Sequence, residues 1–247
     1  MATPITVYGV PLSQPSRTVL WTLLVKKIPF KFRLTNPGSR GKRGSRNAEY
    51  LKKNPSGTIP MLEDGSFSLA ESNAIIIYMA NKNQWFDIYP DEYKKRARVD
   101  WYLHFHNRNV RDLTTGIVMP KFRKDIETSE EVLASRKSSG LAALQEINDS
   151  WLDKDSFLAG NTWTLADLVA YAEIGQLQFL NLHDFSKLHN VSKWIDRMKL
   201  VPFHNEIHLP LEIIGDISET APSMDKMVMV NKTTTDVLEN TGIVTII

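Results

Sequence analysis

The stretch "VPLSQPSR", residues 10–17, carries two serine hydroxyls at a point where a strand is predicted to turn into a helix. Residues 5–8 form a short apolar run, which predicts the strand, and apolar residues recur at helical spacing over 19–24. Ordinary turn chemistry does not require hydroxyls at such a corner. Ser13 and Ser16 are therefore candidates for a chemical role, with helix capping as the simpler alternative.

A second stretch, residues 54–80, also places polar groups where strands and helices meet. Pro60 directly precedes a predicted strand, so we expect a tight cis turn that leaves the Ile59 amide free to pair with a ligand. An ordinary turn proline is the alternative. Glu71 and Ser72 lead into a predicted helix, whose unpaired N–H groups and partial positive charge favour a bound carboxylate. Capping by Ser72 explains the same pattern without a ligand.

Composition narrows the classes of protein to which this chain can belong. The 247 residues are 42% hydrophobic and 23% charged, and the formal net charge of +2 is too small to imply wholesale binding of nucleic acid or membranes. The chain has no cysteine, which excludes disulfides, cysteine metal sites and an enzyme thiol. No signal peptide pattern and no apolar run of roughly 20 residues is present. We therefore expect a cytoplasmic protein without membrane or nucleic acid partners.

The first third of the chain alternates predicted strands and helices in the order β-α-β-α-β-β-α. An Asp-Gly pair at residues 64–65 separates the last two strands, which is typical of a short hairpin. We interpret residues 3–82 as an α/β domain in which helices pack on a small mixed sheet.

Strand signals end after residue 82, and residues 90–215 are predicted to be all-helical. One helix is predicted over residues 92–113, because apolar residues there recur at alternating steps of four and three. Those residues are Val99, Leu103, His106, Val110 and Leu113. Capping boxes predict two further helix starts, formed by Thr128 with Glu131 and by Thr164 with Asp167. Residues 216–247 show no sustained hydrophobic periodicity, so this tail is predicted to be extended or disordered.

Four motifs in order along the chain resemble those of the cytosolic glutathione transferases. They are "SQPSRTVLW", "NPSGTIPMLEDG", "AESNAIIIYMA" and "TWTLADLVAYAEI", and the match in order and spacing extends over residues 5–212. The segment "LSQPSR" is similar to the theta class, which uses a serine at its active site. The resemblance implies a thioredoxin-like N-terminal domain, an all-helical C-terminal domain and a homodimer.

The resemblance also implies an enzyme of detoxification that conjugates glutathione, its co-substrate, to small electrophiles and can reduce organic hydroperoxides. In that family the first hydroxyl after strand one donates a hydrogen bond to the glutathione sulfur. Such a donor stabilises the thiolate and so lowers the thiol pKa. Here the matching residue is Ser13, and Ser16 is its rival.

The rest of the glutathione site carries over by position. Gln14 has a lesser binding role, and the Ile59 backbone before Pro60 pairs with the cysteinyl backbone. Glu71 takes the γ-glutamyl ammonium, and Ser72 at its helix N-terminus takes the γ-glutamyl carboxylate.

Two features depart from the family pattern. Relatives often have lysine or histidine two residues before the proline, where this chain has Thr58. The loop before the second helix is strongly basic, and we assign it to the glycyl carboxylate, with Lys42 or Arg43 as the contact. A solvated loop or a nucleic acid patch is the alternative, but such a patch normally interleaves aromatic residues and only Tyr50 is present.

The electrophile site is expected on the predicted helix 92–113. Its residues Asp100, His104, Asn107 and Arg111 share one helical face, and "FHNRNVR" resembles the theta-class segment whose final arginine enters the electrophile pocket. Arg111, with Leu12, is therefore assigned to substrate binding, where it can stabilise an anionic leaving group. A solvated or interdomain polar face is the alternative. His104 and His106 face different ways on the predicted helix, and no carboxylate pattern supports a site at His204 and His208, so no metal is predicted.

A non-catalytic relative that binds ligands or serves as an assembly module is the alternative function. The retained Ser13 argues for chemistry. Thiol-transferase branches of the family need a cysteine, which this chain lacks.

Overall fold

The structure is a computed structural model and describes residues 5–247. The chain divides into two compact units. The first contains residues 5–84, 202–210 and 228–247, and the second contains residues 85–201 and 211–227. Within residues 5–247, no helix combines the length and apolar character that a membrane crossing requires.

The first unit starts with the element order that the sequence predicts. These elements are β1 (Ile5–Gly9), α1 (Gln14–Val25), β2 (Phe30–Leu34), α2 (Ala48–Lys53), β3 (Met61–Asp64), β4 (Phe67–Ala70) and α3 (Ser72–Lys82). Strand β1 lies between β2, to which it is parallel, and β3, to which it is antiparallel, and β3 pairs antiparallel with β4. The predicted α/β fold class of this part is confirmed.

Burial of apolar side chains holds these elements in place. Val19, Leu20 and Leu24 of α1 are fully buried, as are Val7 of β1 and Phe32 of β2. Each buried side chain of this kind contributes roughly 1.5–3 kcal/mol relative to exposure. The ends of β1 and α1, where the serines lie, are therefore fixed by a packed interior.

The second unit is helical, as predicted. It contains the α-helices α4 (Tyr93–Phe105), α5 (Met119–Phe122), α6 (Glu130–Glu146), α7 (Leu165–Phe179) and α8 (His189–Met198), and three π-helical segments, His106–Val110, Thr114–Val118 and Ile147–Trp151. The predicted apolar stripe is buried throughout, from Val99 to Leu113. The cap of α6 differs from the prediction: Ser129, not Thr128, accepts a hydrogen bond from the Val132 N–H at 3.4 Å.

The helix predicted over residues 92–113 is not α-helical throughout. After Phe105 the chain forms a π-helical segment, His106–Val110, and the Arg111 N–H donates to the His106 carbonyl at 2.9 Å. This i to i+5 hydrogen bond widens the turn. Arg111 therefore leaves the helical phase that the sequence spacing assumed.

The prediction for the tail is also wrong. After α9 (His204–Ile214), the predicted disordered residues 216–247 form α10 (Met224–Glu239) and β5 (Val244–Ile246). Strand β5 pairs parallel with β2 and extends the sheet to the order β4-β3-β1-β2-β5.

A buried threonine explains why the helical period of the tail was missed. Val230, Thr234 and Leu238 recur every four residues and are all fully buried. The Thr234 hydroxyl donates to the Val230 carbonyl at 2.9 Å, so its polar group needs no outside partner. A polar residue at the centre of the buried face breaks the apolar pattern in the sequence without breaking the helix.

A buried histidine in the first unit links its stability to pH. His208 is 1% exposed, and its ring lies 4.9 Å from that of Trp21, centroid to centroid. Its Nδ1 donates to the His204 carbonyl at 2.8 Å. Burial, followed by the nearby Arg17 guanidinium, holds the pKa of His208 well below its ordinary value.

We expect this histidine to make the protein less stable in acid. The unfolded chain takes up a proton at His208 near pH 6.5 while the folded chain stays neutral, so stability falls as pH drops below that value, by at most about 1.4 kcal/mol per pH unit. Denaturant unfolding between pH 5 and 8 measures the slope of the free energy of unfolding against pH. H208L is expected to flatten this slope, whatever its effect on absolute stability. The control is H189Q, at an exposed histidine on α8. Identical slopes for H208L and the unmodified protein would contradict the assignment.

Candidate active site

The register of the sheet brings three separate polar segments to one end of the first unit. Tyr8 of β1 is paired with Met61 of β3, and Met61 is paired with Ala70 of β4. The end of β1, the start of β3 and the end of β4 therefore lie side by side. Residues 10–13, 59–60 and 71–72 continue from these points, so the segments that the sequence singled out meet at one edge.

The two serines of the first segment have very different surroundings. Ser13 is the N-cap residue of α1 and is half-buried, but its hydroxyl makes no capping hydrogen bond to the helix. Ser16 lies inside the first turn of α1 and is fully buried. The Ser16 Oγ packs closely on Gly9: a Cβ added to Gly9 would lie 2.5 Å from this oxygen. The Ser16 hydroxyl has no hydrogen-bond partner in residues 5–247. Only Ser13 can present its hydroxyl to a ligand.

The residues next to Ser13 are already engaged within the first unit. Gln14 is 8% exposed at the start of α1, and its carbonyl accepts a hydrogen bond from the Thr18 hydroxyl at 3.2 Å. Leu12 is half-buried, and its backbone N–H is hydrogen-bonded to the C-terminal helix α10. Both predicted binding residues thus lie beside Ser13, with their backbones held by the fold.

The second segment contains a cis peptide between Ile59 and Pro60, as predicted. The preceding Thr58 carbonyl is fully used, because it accepts hydrogen bonds from the Tyr50 hydroxyl at 2.6 Å and from Asn54 Nδ2 at 2.9 Å. In contrast, nothing in residues 5–247 accepts a hydrogen bond from the Ile59 N–H. This amide is available to a ligand at the edge where Ser13 lies.

The third segment has an unusual backbone conformation at Glu71. Its φ of 69° and ψ of 112° lie outside the regions that non-glycine residues favour, which costs on the order of 1–3 kcal/mol. Glu71 is exposed, and the half-buried Ser72 begins α3 directly after it. A carboxylate and the N-terminus of an eleven-residue helix are thereby presented together.

The basic loop places its cations in two different positions. Lys42 and Arg43 line a cavity of about 60 Å³ together with Tyr8, Tyr50 and Lys53. Arg46 instead lies against Gly57: a Cβ on this glycine would be 2.8 Å from Arg46 Nε and 3.0 Å from its Cζ. Arg46 is thus the loop cation that lies next to Gly57, two residues before Ile59, and sequence reasoning did not select it. Gly57, where a side chain would block the guanidinium, is the sequence signal that could have done so.

In the second unit, Arg111 is bound to a buried acid that sequence reasoning missed. Glu173 of α7 is fully buried and accepts hydrogen bonds from Arg111 Nη1 at 3.2 Å and from the Thr114 N–H at 3.0 Å. Burial by itself would raise the pKa of Glu173, but Arg111, His106 and Thr114 together bring that pKa below its ordinary value. A lone acid within the apolar run "ADLVAYAEIGQL" was the available sequence signal.

The predicted four-residue face around Arg111 is not kept as a unit. Asp100 accepts a hydrogen bond from the Tyr89 hydroxyl at 2.9 Å, while His104 and Asn107 are exposed. The side chain of Arg111 is 34% exposed, so its guanidinium remains reachable from solvent while it is paired with Glu173. π-helical turns of the kind that precedes Arg111 are frequent at functional sites.

Comparison with known proteins relates both units to one family. Residues 7–84 match the model described as glutathione S-transferase, N-terminal domain, and residues 110–200 match glutathione S-transferase, C-terminal domain. Glutathione S-transferase theta-2 of Rattus norvegicus is 34% identical over 196 residues, which cover 76% of this chain and 78% of the relative.

Two solved structures of human theta-class proteins are also similar. Glutathione transferase theta-2 in complex with glutathione and an unknown ligand has a TM-score of 0.74 at 27% identity, over 94% of this chain and 99% of that chain. A theta-class enzyme in complex with the glutathione conjugate of 1-menaphthyl sulfate has a TM-score of 0.73 at 25% identity, over 99% of this chain and 94% of that chain.

Proposed function

The chain belongs to the glutathione S-transferase family, and we propose that it joins the thiolate of glutathione to small electrophiles at a site centred on Ser13. The observation that carries the proposal is that three groups meet at one edge of the sheet. They are the Ser13 hydroxyl, which makes no capping hydrogen bond, the free Ile59 amide, and the start of α3 at Glu71 and Ser72. These groups match a thiolate, a peptide backbone and an amino acid head group, which are the parts of glutathione.

In this proposal Ser13 acts as a hydrogen-bond donor and keeps its proton. A free thiol has a pKa of about 8.5, so most of it is protonated near neutral pH. The Ser13 O–H and the N-terminus of α1 favour the thiolate and lower that pKa. The thiolate sulfur then forms a bond to an electrophilic carbon while the bond to the leaving group breaks, and the leaving group takes the electron pair.

The remaining residues hold the tripeptide. The Ile59 backbone pairs with the cysteinyl residue, Glu71 binds the γ-glutamyl ammonium, and Ser72 with the α3 N-terminus binds the γ-glutamyl carboxylate. For the glycyl carboxylate we favour Arg46 over Lys42 or Arg43, because Arg46 lies against Gly57, two residues before Ile59. A guanidinium can bind a carboxylate through two parallel hydrogen bonds, which Thr58 cannot do.

A panel of electrophiles tests the function directly. The protein is incubated with glutathione and, in turn, an alkyl halide, 1-menaphthyl sulfate, an epoxide and an organic hydroperoxide, with S13A as the matched control. Turnover that depends on Ser13 with at least one substrate is expected. Tight glutathione binding without any turnover would instead favour the non-catalytic alternative. The cytoplasmic location, the homodimer, the role in detoxification and the lack of a metal stay predictions.

Arg111 is proposed to assist departure of anionic leaving groups, and its pairing with Glu173 dictates how this is tested. R111A alone would leave the buried Glu173 carboxylate without its cation, which damages the fold as well as the site. We therefore compare R111A/E173Q with E173Q. The double variant is expected to lose about 10-fold more kcat/KM with substrates that release halide or sulfate than with hydroperoxides, since a fixed cation stabilises charge on the leaving group.

The measurement is kcat/KM across the same panel. Equal losses with all substrates would mean that Arg111 only supports the structure of the second unit. Glutathione affinity serves as the internal control and is expected to stay the same.

A further inference from the structure

We infer that Asn231, on the C-terminal helix α10, is a positioning residue that sets the place of the Ser13 hydroxyl. This inference rests on the proposed function of Ser13. Its basis is one hydrogen bond: the Leu12 N–H donates to Asn231 Oδ1 at 3.0 Å, across 219 residues of sequence. Leu12 is the residue directly before Ser13, so this bond holds the peptide that leads into the proposed catalytic residue.

The same short segment is held from its other side by Arg17. This arginine is fully buried, and its Nη1 donates to the Leu12 carbonyl at 2.7 Å and to the Pro11 carbonyl at 3.2 Å. Between them, Arg17 and Asn231 bind both the carbonyl and the N–H of Leu12. The bond from the Arg17 guanidinium is the stronger of the two, because its donor is charged. Asn231 supplies the acceptor for the Leu12 N–H.

The segment needs such support because it has little structure of its own. Residues 10–13 connect β1 to α1, and the only turn hydrogen bond within them runs from the Ser13 N–H to the Val10 carbonyl, at 3.0 Å. Loops of this kind move more than the elements they connect. Since a displacement of about 1 Å can cost a catalytic site 100-fold in rate, the bonds that fix Leu12 bear directly on Ser13.

Asn231 is suited to this role because its own helix is anchored in the first unit. Val230 and Leu238 of α10 are fully buried. Beyond the helix, β5 pairs with β2, and hydrogen bonds join the Phe30 N–H to the Ile243 carbonyl and the Ile247 N–H to the Phe32 carbonyl, both at 3.1 Å. The C-terminal segment is thus tied to the sheet from which residues 10–13 emerge, and it transfers that rigidity to Leu12.

The test replaces the acceptor and measures the thiol of bound glutathione. N231L keeps a similar side-chain volume without the acceptor, and N231A serves if leucine does not fit, since alanine is the most favourable residue in a helix. Each variant is expected to raise the pKa of the bound thiol, read from thiolate ultraviolet absorbance against pH, and to lower kcat about 10-fold with the fastest substrate of the panel. KM for glutathione should stay within about twofold. K232A, at the exposed neighbouring position, is the control and should match the unmodified protein.

A double variant distinguishes positioning of Ser13 from any other effect. If Asn231 acts through Ser13, then N231L added to S13A should change the thiol pKa no further. Equal changes in both backgrounds, or no change in N231L while S13A shifts the pKa, would overturn the inference and leave the role of Ser13 intact. If S13A itself leaves the thiol pKa unchanged, the proposed role of Ser13 fails, and the inference fails with it.

Discussion

Replacing Ser13 with alanine is expected to cut turnover by about 100-fold or more while leaving the fold intact, because one preorganised donor to an anion is worth roughly 3 kcal/mol. The Ser13 hydroxyl makes no capping bond, so its loss removes nothing that holds α1 in place. Glutathione affinity should change little, since most of its proposed contacts come from other residues. The thiol pKa of bound glutathione should rise, because the donor that favours the thiolate is gone.

Ultraviolet titration of the bound thiol measures this shift, and S16A is the matched control. Ser16 differs from Ser13 in being fully buried against Gly9, so S16A should leave both the thiol pKa and turnover unchanged. A shift in S16A together with no shift in S13A would reverse the assignment of the two serines.

Replacing Asp167 with alanine is expected to lower the free energy of unfolding by about 4 kcal/mol, since each of three buried N–H donors left without a partner costs roughly 1–3 kcal/mol. Asp167 is fully buried at the start of α7. Its Oδ2 accepts the Thr164 N–H at 2.9 Å, which is the carboxylate half of the predicted capping box. Its Oδ1 accepts the Leu158 N–H and the Trp194 Nε1–H, both at 3.0 Å. One carboxylate thus joins a helix start, a loop and α8.

Denaturant unfolding of the full chain measures the loss, with two comparisons. T164A removes a hydroxyl and a methyl group but keeps the Asp167 carboxylate, and it should cost about 1 kcal/mol, the usual value of an N-cap. D153A removes an exposed carboxylate of the same unit and should leave stability unchanged. A loss in D167A no larger than that in T164A would show that the bonds to Leu158 and Trp194 do not contribute. Turnover per folded molecule should be normal in all three variants.

Local patterns were sufficient for the parts of this protein that depend on neighbouring residues. The element order of the first unit, the buried stripe from Val99 to Leu113 and the capping box at Thr164 all follow from residues a few positions apart. Hydrophobic periodicity and helix capping act over one or two turns, so they can be read directly from the chain. The motifs that resemble the glutathione transferases are local for the same reason.

Long-range packing decided what the sequence left open or predicted wrongly. The sequence shows two serines at one corner, but only the packing of α1 on Gly9 buries Ser16 and leaves Ser13 accessible. The tail looked disordered because its buried positions include Thr234, whose hydroxyl is satisfied inside its own helix. The bond from Leu12 to Asn231 spans 219 residues, and no local pattern can report such a contact. Which polar group is exposed, paired or buried is a property of the folded interior, because partners distant in sequence decide it.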